Sequence, residues 1–100
     1  MVISHGTLSV PAPHIAEVRQ LLLDIAANTR REPGCTLYLV SENLARPGHF
    51  VLTEHWDSMA HMQTHLALPG VGQAVQQAHA LGGTDLTITA YEAGLSTKIM

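Results

Sequence analysis

EPGCTLYLVSENLARPGHFVLTEHWDSMAHMQTHL, residues 32–66, holds two strand-like runs, the turn between them and the opening of a helix. Cys35 through Val40 is apolar at nearly every position, the pattern of a strand covered on both faces. Arg46-Pro47-Gly48 places proline second and glycine third in a type II turn, where proline presets φ and glycine accepts the positive φ that follows. His49 to Trp56 is therefore expected to run back antiparallel, closing a hairpin. Side chains alternate along a strand, so Phe50, Leu52, Glu54 and Trp56 share one side while Val51, Thr53 and His55 share the other. Asp57 or Ser58 caps the next helix, which carries Met59, Met62 and Leu66 on one face and also holds His61 and His65. Polar chemistry is thus concentrated where a strand passes into a helix.

Working outward, Val2 to Val10 alternates, with Val2, Leu8 and Val10 opposite His5, Thr7 and Ser9, until Pro11 and Pro13 end the strand. Between His14 and Arg31, the residues Ile15, Val18, Leu22, Ile25 and Ala26 recur at helical spacing, opposite Glu17, Gln20, Asp24 and Arg31. This amphipathic helix is stopped by Glu32-Pro33-Gly34. Pro69-Gly70 interrupts the later helix, a second helical stretch is predicted from about Val71 to Leu81, and Gly82-Gly83 terminates it. Asp85 to Gly94 sets Leu86, Ile88 and Ala90 against Thr87, Thr89 and Tyr91, a last strand followed by a tail that packs on a neighbour or frays. The order strand, helix, strand, strand, helix, strand is the split βαβ plan, an α+β ferredoxin-like βαββαβ antiparallel sheet with the helices on one face. Apolar side chains on both parities of the strands predict that a second copy docks sheet to sheet, as a homodimer with a composite barrel-like core.

Composition agrees with this plan. A chain of 100 residues suits one domain, residues 1–100, yet 46% of it is apolar and only 13% charged. That is more apolar material than a small monomer easily hides, which again points to a subunit interface. The net charge of −3 and the scattered Arg19, Arg30, Arg31, Arg46 and Lys98 give no basic stripe for phosphates, so nucleic acid is excluded as the expected partner. No leader-like N-terminus and no long apolar run predict a cytosolic chain without a membrane span. Cys35 is the only cysteine and reads as a small buried thiol, with nucleophile as the lesser alternative.

Single residues carry two readings each. Trp56 is either a core plug or the wall of a pocket whose polar end is Glu54 and the nearby imidazoles. His65, three residues after Met62, can lie beside the apolar helix face and is the preferred acid–base candidate; its alternative is a histidine with no chemistry. His61 and His65 stand at i, i+4, a spacing used by paired metal ligands, but the intervening Met62, Gln63 and Thr64 lack the Glu of a zinc hydrolase, and no third ligand is near in sequence. No metal is expected. His5, His14, His49 and His79 are expected to face solvent.

The segments EPGC, Tyr38, FVLTEHWDS (residues 50–58) and HLALPG (residues 65–70) together resemble the antibiotic biosynthesis monooxygenase family of dimeric α+β barrels. The resemblance extends over nearly the whole chain. It implies a pocket within each subunit between sheet and helices, with Trp56 in its wall, His65 where the family often has a histidine before leucine, and Ser4, Tyr38, Phe50, Leu52, Glu54 and Met62 as pocket candidates. The quinone-forming members carry an Asn four residues before the Trp and a Tyr six after it; here those positions are Leu52 and Met62. Nor is the residue set of the haem-degrading members intact, since His65 occupies their second-helix Trp position.

The implied activity is a cofactor-independent monooxygenase acting with O₂ on a small aromatic or quinol-like substrate. Oxygen's spin state requires an electron-rich anion as reductant, so the protein would remove a phenolic proton and exclude water. No Gly-rich phosphate cradle is present for a dinucleotide, and no cofactor is expected. The alternative is a non-catalytic ligand-binding or interaction module on the same dimeric fold.

Overall fold

A computed structural model describes residues 1–100. The chain runs through β1 (Val2–Ser9), a 3-10 turn (Ala12–His14), α1 (Ile15–Thr29), β2 (Cys35–Glu42), β3 (His49–Trp56), α2 (Met59–Leu66), α3 (Pro69–Ala80) and β4 (Thr84–Glu92). The strands form one antiparallel sheet in the order β2-β3-β1-β4, so the expected ferredoxin-like βαββαβ architecture is present. No helix is long and apolar enough to cross a membrane.

Register turns the alternating sequence into rows across the sheet. Tyr38 pairs with Glu54, Glu54 with Ser4 and Ser4 with Ala90, which makes a polar row in the middle of the helix-facing side. Phe50, Leu52, Glu54 and Trp56 of β3 are all buried there, together with Val2, Ser4 and Leu8 of β1. From α1, Val18, Leu22, Ala26 and Thr29 fall on one stripe and are buried, while Glu17, Gln20 and Asp24 point outward. The main core joins Leu8, Val18, Leu22, Ala26, Tyr38, Phe50, Leu52 and Ala78. A smaller cluster, Val2, Trp56 and Met62, lies toward α2.

The second helical stretch begins at Pro69 rather than near Val71, because proline is tolerated in the first turn, where no N–H is needed. It ends at Gly82, whose φ of +85° lets Gly82 N–H donate to His79 O and Gly83 N–H to Ala78 O. Leu66, placed by its spacing on the apolar face of α2, is 43% exposed, whereas His65 is 3% exposed and takes the inward position beside Met62. β2 lies at the sheet edge, and within one chain only its helix-facing side is covered: Leu39 is 48% exposed. A bulge between Cys35 and Leu37 turns Cys35, not Thr36, toward Trp56. Thr36 is exposed, its hydroxyl donating to His55 O. In β4 a second bulge accompanies Asp85, at φ +54°, where the register against β1 shifts. Beyond β4, residues 93–100 carry no helix or strand, and Leu95, Ile99 and Met100 are exposed.

The β2–β3 hairpin is built as the sequence predicts and is then anchored. Gly48 has φ +83° and His49 N–H donates to Arg46 O at 3.0 Å. Gly48 N–H donates to Glu42 Oε2 at 2.8 Å, and Arg19 Nη2 donates to Glu42 Oε1 at 2.7 Å. These two contacts, the backbone N–H first, hold the Glu42 carboxyl below its ordinary range. The stabilisation is present above the carboxyl's unfolded pKa and fades as the pH falls through its lowered folded value.

A Cβ at Gly48 would strike Val10 O and the Ile15 side chain in addition to opposing the positive φ. Gly48→Ala is expected to cost roughly 1–3 kcal/mol in urea unfolding, the range for a strained backbone conformation, with an unchanged m-value; a variant as stable as the parent would contradict this account of the turn.

Candidate active site

The loop after α1 aligns α2 against the sheet. Gly34 adopts φ +83°, its carbonyl accepts from Asp57 N–H at 2.8 Å, and its bare Cα faces the His61 ring, where any Cβ would collide. Ser58 caps α2: its Oγ accepts from His61 N–H at 3.2 Å and lies 2.7 Å from His61 Nδ1. With the helix start fixed at both points, the helical repeat carries Met62 and His65 inward, one turn further along.

His65 meets three partners. Its Nδ1 lies 2.9 and 3.0 Å from the two oxygens of Glu32, a residue of the same loop. Its ring sits 5.0 Å from the Trp56 ring at a 33° tilt and 6.3 Å edge-on from Tyr38. An ionised carboxylate only accepts, so Nδ1 carries the hydrogen and Nε2 keeps the lone pair when the ring is neutral. Nε2 makes no hydrogen bond within the chain, yet it is not sealed off, since the one buried side-chain polar atom without a partner is Ser4 Oγ.

Trp56 is fully buried, and its Nε1 donates to Glu54 Oε1 at 3.0 Å. The carboxylate of Glu54 is thereby held inside an apolar layer, with Ser4 directly across the strand pair. Burial raises the Tyr38 phenol above its ordinary range, and the charges of Glu54 and Glu32 add to this. Burial also raises the Cys35 thiol, with Glu54 and Glu32 again contributing.

A cleft between sheet and helices opens onto this cluster, with a cavity volume of about 70 Å³. Tyr38, Leu52, Glu54 and His65 line it, with Leu22, Ile25, Val71 and Ile88 among its apolar walls. Four of the residues singled out in the sequence therefore come together. Four others do not reach the space: Trp56 supports the His65 ring from behind instead of forming the wall, Met62 packs on Trp56, Phe50 belongs to the main core, and Ser4 lies beside Glu54 on the neighbouring strand.

The sequence reading missed Glu32. Glu54, the polar end that the sequence suggests beside Trp56, is engaged by the indole, and it is Glu32 that holds His65. Glu32 served only as part of a helix stop, and the separation of 33 residues gives no local signal for the pair. Of the other histidines, His5 and His79 are exposed, whereas His49 and His14 are half-buried and contact Ser9 Oγ and Glu17. No three His, Cys, Asp or Glu side chains are grouped to hold a metal ion.

A family model described as antibiotic biosynthesis monooxygenase matches residues 1–77. Among solved structures, a candidate antibiotic biosynthesis monooxygenase from Deinococcus radiodurans is 63% identical, with TM-score 0.98 over 100% of this chain and 99% of that one. A second structure, described as an antibiotic biosynthesis monooxygenase, is 26% identical with TM-score 0.86, covering 95% and 100% of the two chains. SnoaB, a cofactor-independent oxygenase from Streptomyces nogalater, shares the fold with TM-score 0.81 at 20% identity, over 95% of this chain and 94% of its own. No curated protein matches the chain. The matched family model and the Deinococcus relative agree with the segments on which the sequence resemblance rests: this chain belongs to the antibiotic biosynthesis monooxygenase family.

Proposed function

We propose that the protein is a cofactor-independent monooxygenase of a small phenolic or quinol-like compound, with His65 as the base. The observation that carries this reading is a buried imidazole that lines an apolar cleft, with its Nδ1 held by a carboxylate and its Nε2 unbonded within the chain. A phenol entering the cleft loses its proton to Nε2. The phenolate then gives one electron to O₂, the radical pair couples at a ring carbon bearing hydrogen, and a peroxide forms. Breaking the O–O bond leaves one oxygen on carbon as a carbonyl and releases the other as water, which takes the phenolic and ring hydrogens. Leu52 and the apolar walls exclude bulk water from the anion, Glu54 and Tyr38 supply the polar end, and Trp56 keeps the imidazole in place by stacking.

The narrow cleft, with Leu52 in its wall and Met62 packed behind it on Trp56, also supports a second reading as a binder of small apolar ligands without turnover. Oxygen uptake across a panel of hydroquinones and anthrones separates the two readings. Turnover without added flavin, nicotinamide or metal is expected, and His65→Ala should reduce it about a hundredfold to ten-thousandfold while thermal stability changes far less. Binding without oxygen uptake would select the second reading.

The open side of the sheet supports a homodimer. Ile3, Leu37, Leu39, Val51 and Tyr91 lie on the face away from the helices, and Leu39 and Tyr91 are 48% and 61% exposed. Sedimentation should give two chains per particle, and Leu39→Asp should shift it toward one; a parent chain that stays monomeric at all concentrations would overturn this assembly.

A further inference from the structure

The Glu32–His65 contact lies between two spaces. On its inner side His65 lines the narrow cleft, and on its outer side Glu32 lines a wider surface cleft of about 340 Å³ with Asn28, Thr29, Leu68 and Pro69. Ile25 and Val71 belong to the walls of both, so one layer of side chains divides them. The Glu32 side chain is 21% exposed and the imidazole 4%, which puts the carboxylate on the water side of the pair.

We propose that Glu32 is a positioning residue that fixes the His65 tautomer and exchanges the Nδ1 proton with water in the outer cleft. This rests on the proposed role of His65 as base, but on no particular substrate. A proton accepted at Nε2 makes an imidazolium whose Nδ1–H faces both oxygens of Glu32. Transfer of the Nδ1 proton to the carboxylate leaves a neutral ring protonated at Nε2, and Glu32 then gives its proton to water. Run in reverse, the path returns a proton to the inner cleft when a product oxygen leaves as water. Over one full pass a proton enters at Nε2 and one leaves from Glu32, and no electron moves. Other titratable groups around the imidazole, Tyr38 and Cys35 from β2 and Glu54 from β3, lie on the sheet side, and Glu54 is already bonded to Trp56. α3 presents the uncharged Val71.

Two functions, orienting and exchanging, are separated by two variants. A Gln at position 32 still accepts from Nδ1–H through its amide oxygen but takes up no proton, whereas an Ala does neither. Nitrogen-15 spectra of the parent protein should show the hydrogen of neutral His65 on Nδ1. Glu32→Gln should keep that tautomer but slow exchange of the Nδ1 hydrogen with water by about tenfold or more, the scale of a lost acid–base group. Glu32→Ala should move the hydrogen to Nε2. For any substrate found, Glu32→Gln should lower kcat by at least a similar factor with KM unchanged. Acetate, small enough for the outer cleft, should restore part of the turnover to Glu32→Ala. A parent protein with the hydrogen on Nε2, or a Gln variant whose exchange is as fast as the parent's, overturns the proposal even if no substrate is identified. If His65→Ala retains full turnover while the tautomer and exchange results hold, the oxygenase mechanism fails and the proton path stands.

Discussion

A carboxylate taken out of water needs donors, and an imidazole beside it needs an acceptor; the site is organised by this requirement. Glu54 would be a buried anion without the Trp56 indole, and His65 would sit in an apolar layer with no fixed tautomer without Glu32. The first pair is local to β3, and the second joins two distant parts of the chain. Trp56 closes the smaller hydrophobic cluster while spending its one donor on Glu54, and Glu32 draws the loop after α1 onto α2. Without either pairing, the strand-to-helix junction would have to open to water or lose its polar side chains.

How much of this was legible depended on whether a feature was local. The hairpin was readable because proline and glycine at positions 47 and 48 have one common use, and the parity of β3 followed from alternation alone. His65 was found through its helical offset from Met62, which is again a short-range relation. Glu32 was not found, since a hydrogen bond closed only by folding leaves no pattern in the intervening sequence. The bulge at Thr36 was hidden for a related reason: one extra residue in an edge strand is set by pairing with β3, and plain alternation, which would put Thr36 on the side of Tyr38, carries no sign of it. Trp56 was recognised as important for two competing reasons, and the geometry combines them, with a core residue serving as the backing of a polar side chain.

Membership of the family and the particular site of this chain convey different things. The 63% identical Deinococcus structure and the match over residues 1–77 establish the family. Leu52 and Met62 make the surroundings of His65 more apolar than a polar pair would, and Leu52 lies in the cleft wall itself. Such a wall gives a ligand hydrophobic contact but few fixed hydrogen bonds, so selectivity would come from shape and from the single polar end.

The bulge in β2 also decides the fate of the protein's one sulfhydryl. By turning Cys35 toward Trp56, into partial burial and near the charges of Glu54 and Glu32, it raises the thiol above its ordinary range. Peroxides and alkylating agents react with thiolates, so a raised thiol disfavours the form that would become a sulfenic acid. A protein that handled dioxygen would thereby carry its one thiol shifted away from its reactive form.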